Sequence, residues 1–366
     1  MASKRIDDLI RPDVWGIKEY IPIEPPEVLG KAGGGIQQRI IKLDGNENPY
    51  GPSPKVAEAL RACSGYHYYP DPGQRELRRL LEGYVGLDAR YILAGSGSDE
   101  LIDLLLRAVI GPGDNIVDTP PTFGMYRFST EVCGGRVIDA PRDGTYQVIP
   151  EKVLAAVNDR TKVIFLASPN NPTGTGLPPG YLTEFLKTGA LVVVDEAYFE
   201  FSGKTVAQEV PNHENLVVLR TFSKWAGLAG LRVGYGIMQE SLSRHLWKIK
   251  PPYNVNVAAQ VAVRASLEDL PYLRANVKKI IGEREKMYGA LLDMDFISPF
   301  PSEGNFVFCQ LRRGNGLEVR DTLRKKGIFV RYFDNPLIRN AVRISVGLPE
   351  ENDILLEALL EIGKGI

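Results

Sequence analysis

Three cysteines in 366 residues, Cys63, Cys133 and Cys309, are too few and too scattered for a disulfide framework. None has a His or Cys neighbour at metal-ligand spacing, so neither a zinc site nor any other metal is expected. A reducing cytoplasm is the simplest home. Net charge is missing too: 44 Lys and Arg face 45 Asp and Glu. That balance gives no field to gather nucleic acid or an anionic membrane, so any anion must be bound locally. Long apolar runs are absent, and the longest, such as Ala190–Val194, fall far short of the ~18 residues that span a bilayer. The opening Met-Ala-Ser-Lys-Arg-Ile-Asp-Asp puts two acids where a secretory signal needs an apolar stretch. Neither export nor a membrane partner is expected. Internal repeats and low-complexity tracts are lacking. What is present is ordinary for a globular protein, 44% hydrophobic and 24% charged residues. The length points to two lobes or one large α/β domain.

From about residue 90 to 250, short apolar runs bounded by turn residues alternate with amphipathic segments, as when helical crossovers join mostly parallel strands. Strands are predicted at Tyr91–Ala94, Asn115–Asp118, Gly135–Ala140, Lys162–Ala167, Ala190–Asp195, Leu216–Arg220 and Leu231–Ile237. Several are rich in Val and Ile with little alternation, as strands covered on both faces are. Seven such strands make a large central sheet of an α/β fold. Helices are predicted at Asp99–Ile110, Thr122–Cys133, Pro150–Val157 and Pro178–Lys187.

Beyond Pro251-Pro252 the character changes. Residues 257–292 read as largely helical, with Leu273, Val277, Ile280, Met287 and Leu291 at helical spacing, long enough to bridge two lobes. Strands at Asn305–Leu311, Ile328–Tyr332 and Ala341–Val346, with helices at Leu317–Lys326 and Glu350–Ile362, then form a small α+β domain. The first ~40 residues are Pro-rich and aperiodic and read as an arm lying on another surface. The division is therefore an arm over 1–40, a large domain over 41–255, and an interdomain helix with a small C-terminal domain over 256–366. Part of the N-terminal segment joins the small domain.

The chemistry-bearing residues cluster just after predicted strands, where open α/β sheets bind ligands. Lys224, in Thr221-Phe-Ser-Lys224, follows Leu216–Leu219. Alone it would pass for an exposed loop lysine. Asp195, in Asp195-Glu-Ala-Tyr198, caps another apolar strand, and a carboxylate there can keep a pyridine nitrogen protonated and so make the ring an electron sink. Ser168-Pro-Asn-Asn171-Pro-Thr-Gly174 could be merely an Asn-Pro turn, yet the Asn171 amide, with Tyr198, can hold a ring hydroxyl. Gly95-Ser-Gly-Ser98-Asp99-Glu100 opens a helix and lets backbone N–H groups approach an anion. A dinucleotide reading of that turn fails, because Glu100 stands where the third glycine of G-x-G-x-x-G belongs. Arg232 can supply a bidentate phosphate partner, and Phe123 an aromatic face for a planar ring.

In order along the chain, these segments resemble the fold-type I pyridoxal 5'-phosphate (PLP) aminotransferases, and among them the histidinol-phosphate aminotransferase family. The likeness runs through Asp44-Gly-Asn-Glu-Asn-Pro-Tyr50, Tyr69-Pro-Asp-Pro72, Gly97-Ser-Asp-Glu100, Pro120-Pro-Thr-Phe-Gly-Met125 and Ser168–Gly174. It continues through Asp195–Tyr198, Arg220-Thr-Phe-Ser-Lys224, Gly230-Leu-Arg232 and Val342-Arg-Ile-Ser-Val-Gly347. The resemblance implies that Lys224 is the Schiff-base lysine, Asp195 the partner of the ring nitrogen, and Asn171 and Tyr198 the contacts of the ring hydroxyl. It implies a phosphate cup from Ser98, Asp99, Thr221, Ser223 and Arg232, with Tyr69 reaching the cofactor of the other subunit of a homodimer with shared active sites. Phe123 replaces a frequent tyrosine, which keeps the stacking and removes a phenol. Arg343 is similar to the arginine that grips substrate anions, Arg331 to a second anion contact, and Tyr20 to a tyrosine on an arm that closes over substrate. The usual Pro-Gly-Lys after that tyrosine is absent here.

The activity implied by the resemblance is ping-pong transfer of an amino group from histidinol phosphate to a 2-oxo acid, passing through a pyridoxamine form, in histidine biosynthesis. The same scaffold also serves aromatic amino acid aminotransferases and threonine-phosphate decarboxylases, and the bond broken depends on substrate pose. A PLP-sensing transcription regulator would carry a basic DNA-binding module, which this charge-balanced chain lacks.

Overall fold

A computed structural model of the chain describes residues 5–32, 39–178 and 180–366. Residues 1–4 and 33–38 of the arm predicted over 1–40, and Pro179 of the helix predicted at Pro178–Lys187, lie outside the described residues. The described strands are β1 (Ile41–Leu43), β2 (Ile92–Gly95), β3 (Asn115–Asp118), β4 (Arg136–Asp139), β5 (Thr161–Ala167) and β6 (Leu191–Asp195). They continue with β7 (Leu216–Thr221), β8 (Gly234–Met238), β9 (Ile297–Phe300), β10 (Phe306–Leu311), β11 (Ile328–Tyr332) and β12 (Ala341–Ser345). They form two sheets, one of seven strands in the order β2-β8-β7-β6-β5-β3-β4 and one of five in the order β1-β11-β12-β10-β9.

In the large sheet only β8 runs against the rest, being antiparallel to both β2 and β7. Residues of β5, β6 and β7 are apolar at nearly every position because both faces are covered. Ile164, Leu166, Val192, Val194 and Val218 enter one core, while Val163, Phe165, Val193, Val217 and Leu219 enter the other. At roughly 1.5–3 kcal/mol for each large apolar side chain removed from water, these strands anchor the fold. The helix Gly97–Val109 seals the second core with Leu101, Ile102, Leu104, Leu105 and Leu106.

The small sheet packs one face on two helices. Val342 and Ile344 of β12 and Val307 and Cys309 of β10 pack with Met287, Leu291, Leu355 and Leu359 of two helices, Leu270–Leu292 and Pro349–Lys364. Since strand residues alternate in direction, Arg343, Ser345 and Phe308 face the other way. β1, inside the stretch 41–255, pairs in parallel with β11 and so belongs to the small sheet.

Some elements depart from the sequence prediction. The helix expected over 257–292 is two, Val257–Leu267 and Leu270–Leu292, with Pro271 in the first turn of the second, where its missing N–H costs nothing. The strand predicted from Leu231 begins only at Gly234, because Arg232 takes a left-handed φ of +52°. Helices at Pro54–Ala62, Arg75–Val85 and Glu240–Ile249 fall where none is predicted. The arm is not aperiodic: it holds a 3-10 turn at Ile6–Leu9 and short helices at Pro12–Trp15 and Pro26–Ala32. It lies on its own chain, with Arg11 Nη2 donating to Val132 O at 2.6 Å. Among the described residues no helix is long and apolar enough to cross a membrane.

Candidate active site

Because β2, β3, β5, β6 and β7 share a direction, their C-terminal ends open along one edge of the large sheet. Asp195 ends β6, in register with Ala167 at the end of β5 and Leu219 of β7. Its carboxylate is buried, with Oδ2 accepting from the Tyr126 hydroxyl at 2.6 Å and Oδ1 from the Ala197 N–H at 3.0 Å. Burial raises this carboxyl to about 6, against the pull of both hydrogen bonds.

Lys224 follows β7. Its Nζ donates to Gly45 O at 2.9 Å and lies 6.0 Å from the centre of the Tyr198 ring. Burial first, and the Arg343 guanidinium second, lower this ammonium from 10.5 to about 8. Tyr198 is buried, and burial raises its phenol against the pull of Arg343; its oxygen accepts from Asn46 Nδ2 at 2.9 Å. Asn171, in the turn after β5, accepts through Oδ1 from Arg343 Nη1, and Arg343 Nη2 donates to Asp44 O. Arg343 is 5% exposed, and its Nε has no hydrogen-bond partner. Arg331 stands directly opposite Arg343 across β11 and β12. Like charges so placed repel, which marks this face as built for an anion.

At the ends of β2 and β7 lies a second, smaller cradle. Ser98 and Asp99 occupy the first helical turn after Gly97, where N–H groups lack intrahelical acceptors. Arg232 Nη2 donates to Asp99 Oδ2 at 3.1 Å and Nη1 to Ser223 Oγ at 3.4 Å, while Thr221 Oγ1 donates to Ser223 Oγ at 2.9 Å. A Cβ on Gly97 would sit 2.6 Å from Arg232 Nη2, and one on Gly234 would sit 2.6 Å from the Ser98 nitrogen. The cradle therefore admits backbone and guanidinium together only because these positions are glycine. Backbone N–H groups, two hydroxyls and a guanidinium are the donor set of an anion site.

Phe123 is half-buried after β3, edge-on to Tyr126 at 5.6 Å between ring centres. Tyr20 reaches the cleft from the arm, its ring 3.6 Å from where a Cβ on Gly124 would lie, and its neighbour Ile21 accepts from Arg331 Nη2 at 2.9 Å. Tyr69 stands apart: it is 79% exposed and stacks on Tyr253 at 4.3 Å. Among the described residues no group of His, Cys, Asp or Glu is placed to hold a metal, and the three cysteines are free.

Sequence reasoning assigns no role to Asn46, Tyr126 or Ser345. Asn46, at a left-handed φ of +52°, takes Ser345 Oγ on its N–H at 2.8 Å and receives Asn305 Nδ2 on its carbonyl at 3.0 Å, besides donating to Tyr198. It thereby ties the small sheet to the strand-end cluster. Its motif stands out in sequence, but its partners are 152 to 299 residues away.

The chain matches the family described as aminotransferase class I and II over residues 38–359. It is 49% identical over 366 residues to a histidinol-phosphate aminotransferase of Roseiflexus castenholzii, covering 98% of this chain and 99% of that one. It is 46% identical over 355 residues to a histidinol-phosphate aminotransferase of Dehalococcoides mccartyi, covering 97% and 98%. Among solved structures, the histidinol-phosphate aminotransferase from Sinorhizobium meliloti in complex with pyridoxal-5'-phosphate is similar, with a TM-score of 0.89 at 27% identity, covering 97% of this chain and 98% of that one.

Proposed function

The chain belongs to the class I and II aminotransferase family, and from that premise we propose that it is a PLP-dependent histidinol-phosphate:2-oxoglutarate aminotransferase of histidine biosynthesis. The observation that carries the reading is one amine, Lys224, set at a strand-end edge with a buried carboxylate, Asp195, while a buried guanidinium of the small sheet with a free N–H, Arg343, bonds to Asn171 of that edge. The residues fit the cofactor. The glycine-lined cradle of Ser98, Asp99, Thr221, Ser223 and Arg232 would hold its phosphate. Asp195 would face the ring nitrogen, Asn171 and Tyr198 the ring hydroxyl, and Phe123 the ring face. Bound, PLP supplies an electron sink for the charge left when a substrate carbon loses its proton.

Lys224 Nζ is the group to which we assign cofactor attachment and then proton transfer at the substrate carbon. Its lowered pKa favours that work, since a substantial share is neutral, and so able to accept a proton, in mildly alkaline solution. Arg343 and Arg331 grip the anionic end of each substrate in turn, the phosphate of one and a carboxylate of the other, for a guanidinium fork fits both. Tyr20 closes the cleft from the arm and excludes water. Because one site takes both substrates alternately, the kinetics are ping-pong.

The enzyme acts as a homodimer in the cytoplasm. Support for pairing comes from an exposed aromatic patch, Tyr66, Tyr68 and Tyr69 at 56%, 70% and 79% exposure, on which Tyr69 would reach a second copy's cofactor.

The test mixes PLP-loaded protein with L-histidinol phosphate and no oxo acid, and follows the visible cofactor band together with carbon dioxide. Bleaching that 2-oxoglutarate reverses, without gas, is expected. Gas release, or bleaching by tyrosine and phenylalanine but not by histidinol phosphate, would overturn the reading.

A further inference from the structure

Tyr126 carries a wholly buried hydroxyl that the mechanism does not use. Tyr126 lies in the helix Met125–Val132, its ring stacked on Phe165 of β5 at 4.5 Å with 6° between the planes. Packing alone would be served by phenylalanine, since a buried phenol must find a partner. This one finds Asp195, at 2.6 Å. With Tyr126 on Oδ2 and the Ala197 N–H on Oδ1, each oxygen takes one hydrogen bond from a different element, which fixes the plane of the carboxylate at the end of β6. Resting on the assignment of Asp195 to the cofactor's ring nitrogen, we propose that Tyr126 is a positioning residue, its hydroxyl holding Asp195 as an aligned, charged acceptor before the cofactor arrives.

The carboxylate needs that help. Besides burial, Asp99 from the helix Gly97–Val109 and Glu196 next along the chain oppose its ionisation, and Tyr198 faces it from the turn beyond. The groups that favour the charge are the Tyr126 hydroxyl and the Ala197 N–H. Asp118 and Arg142 face the phenol itself, with opposite effects, and burial keeps that phenol protonated and therefore a donor. Removing the hydroxyl raises the carboxyl further, so Asp195 is neutral over more of the range below neutrality and regains its charge only as pH rises.

Tyr126→Phe keeps the ring and its stacking, and the melting temperature of the apoprotein checks that it folds. The measurement is PLP affinity of the apoprotein, by fluorescence titration from about pH 5 to 9, for wild type, Tyr126→Phe and Asp195→Asn. The acid limb of binding in Tyr126→Phe is expected to lie about one pH unit higher, with affinity about threefold weaker near pH 6.5, approaching tenfold near pH 5, and close to wild type near pH 9. The acid limb of turnover should move with it. Unchanged binding and turnover in Tyr126→Phe, alongside loss of both in Asp195→Asn, would make Tyr126 a packing residue and overturn the proposal. If Asp195→Asn itself binds PLP as the wild type does, the assignment of Asp195 fails and takes the proposal with it.

Discussion

The two sheets contribute to the site in different ways. The large sheet offers strand ends: Asp195 closes β6, and Asn171 and Lys224 come shortly after β5 and β7, its two neighbours in one parallel register. The small sheet offers a strand face, where Arg331 and Arg343 oppose each other within β11 and β12 while Val342 and Ile344 turn to the core behind. Positions set by one register cannot shift relative to one another without breaking the sheet. Those on the second sheet are tied across by side-chain bonds, Arg343 to Asn171 and to Asp44 O, and Asn46 to Ser345. That difference suits the proposed function, in which the fixed half serves the cofactor and the adjustable half serves substrates that change during each cycle.

Substitutions can break that contrast. Lys224→Ala, at a strand end, should lower turnover by roughly 10⁴-fold in a steady-state assay, because it removes the amine to which the proposed function assigns both cofactor attachment and proton transfer. Arg343→Ala, on the strand face, should lower kcat/KM for both substrates by about 10²–10³-fold, since it strips the proposed anion grip and leaves Asn171 Oδ1 and Asp44 O without their donor. Arg343→Lys should recover little of this, for an ammonium cannot replace the fork.

A third change reads the strand ends through stability. The Asp195 carboxyl, about 6 when folded against 3.8 ordinarily, binds its proton more tightly in the native chain than in the unfolded one. Its contribution to stability is therefore present below the lower value and lost as pH rises through the higher. Apoprotein carrying Asp195→Asn should match the wild type near pH 4 and exceed it by about 2 kcal/mol near pH 7, measured by urea unfolding. The smallest effect is expected from Arg331→Ala, a roughly fivefold rise in KM for histidinol phosphate with kcat little changed, because this partly exposed side chain is already shared with Ile21 O.

The same contrast explains what can be read from sequence. Strand ends announce themselves, because a buried parallel strand is a short apolar run and the residues after it are contiguous. Asn115–Asp118 and Ile328–Tyr332 match their predicted bounds to the residue, and Lys224, Asp195 and Asn171 fall at or just beyond the ends that such runs define. A strand face gives no such signal. Arg343 and Arg331 are marked only by resemblance, since which side of β12 meets the cleft depends on packing against helices far along the chain. β1 is three residues long and pairs with a strand some 290 positions away, so no local pattern marks it. Tyr126 is legible in principle, one helical turn after Phe123, but its partner Asp195 lies 69 residues on. Arg75–Val85 has a clear apolar stripe, Leu77, Leu81 and Val85, yet it precedes the alternating stretch from about residue 90 that marks the α/β core.

The central claim is that cofactor and chemistry meet where β7 ends. The most direct measurement reduces the PLP-loaded protein with borohydride, digests it and locates the modified lysine by peptide mass. The account predicts the mark on Lys224, in the peptide that contains Thr221 and Ser223. A mark on any other lysine, with Lys224 unmodified, would contradict it.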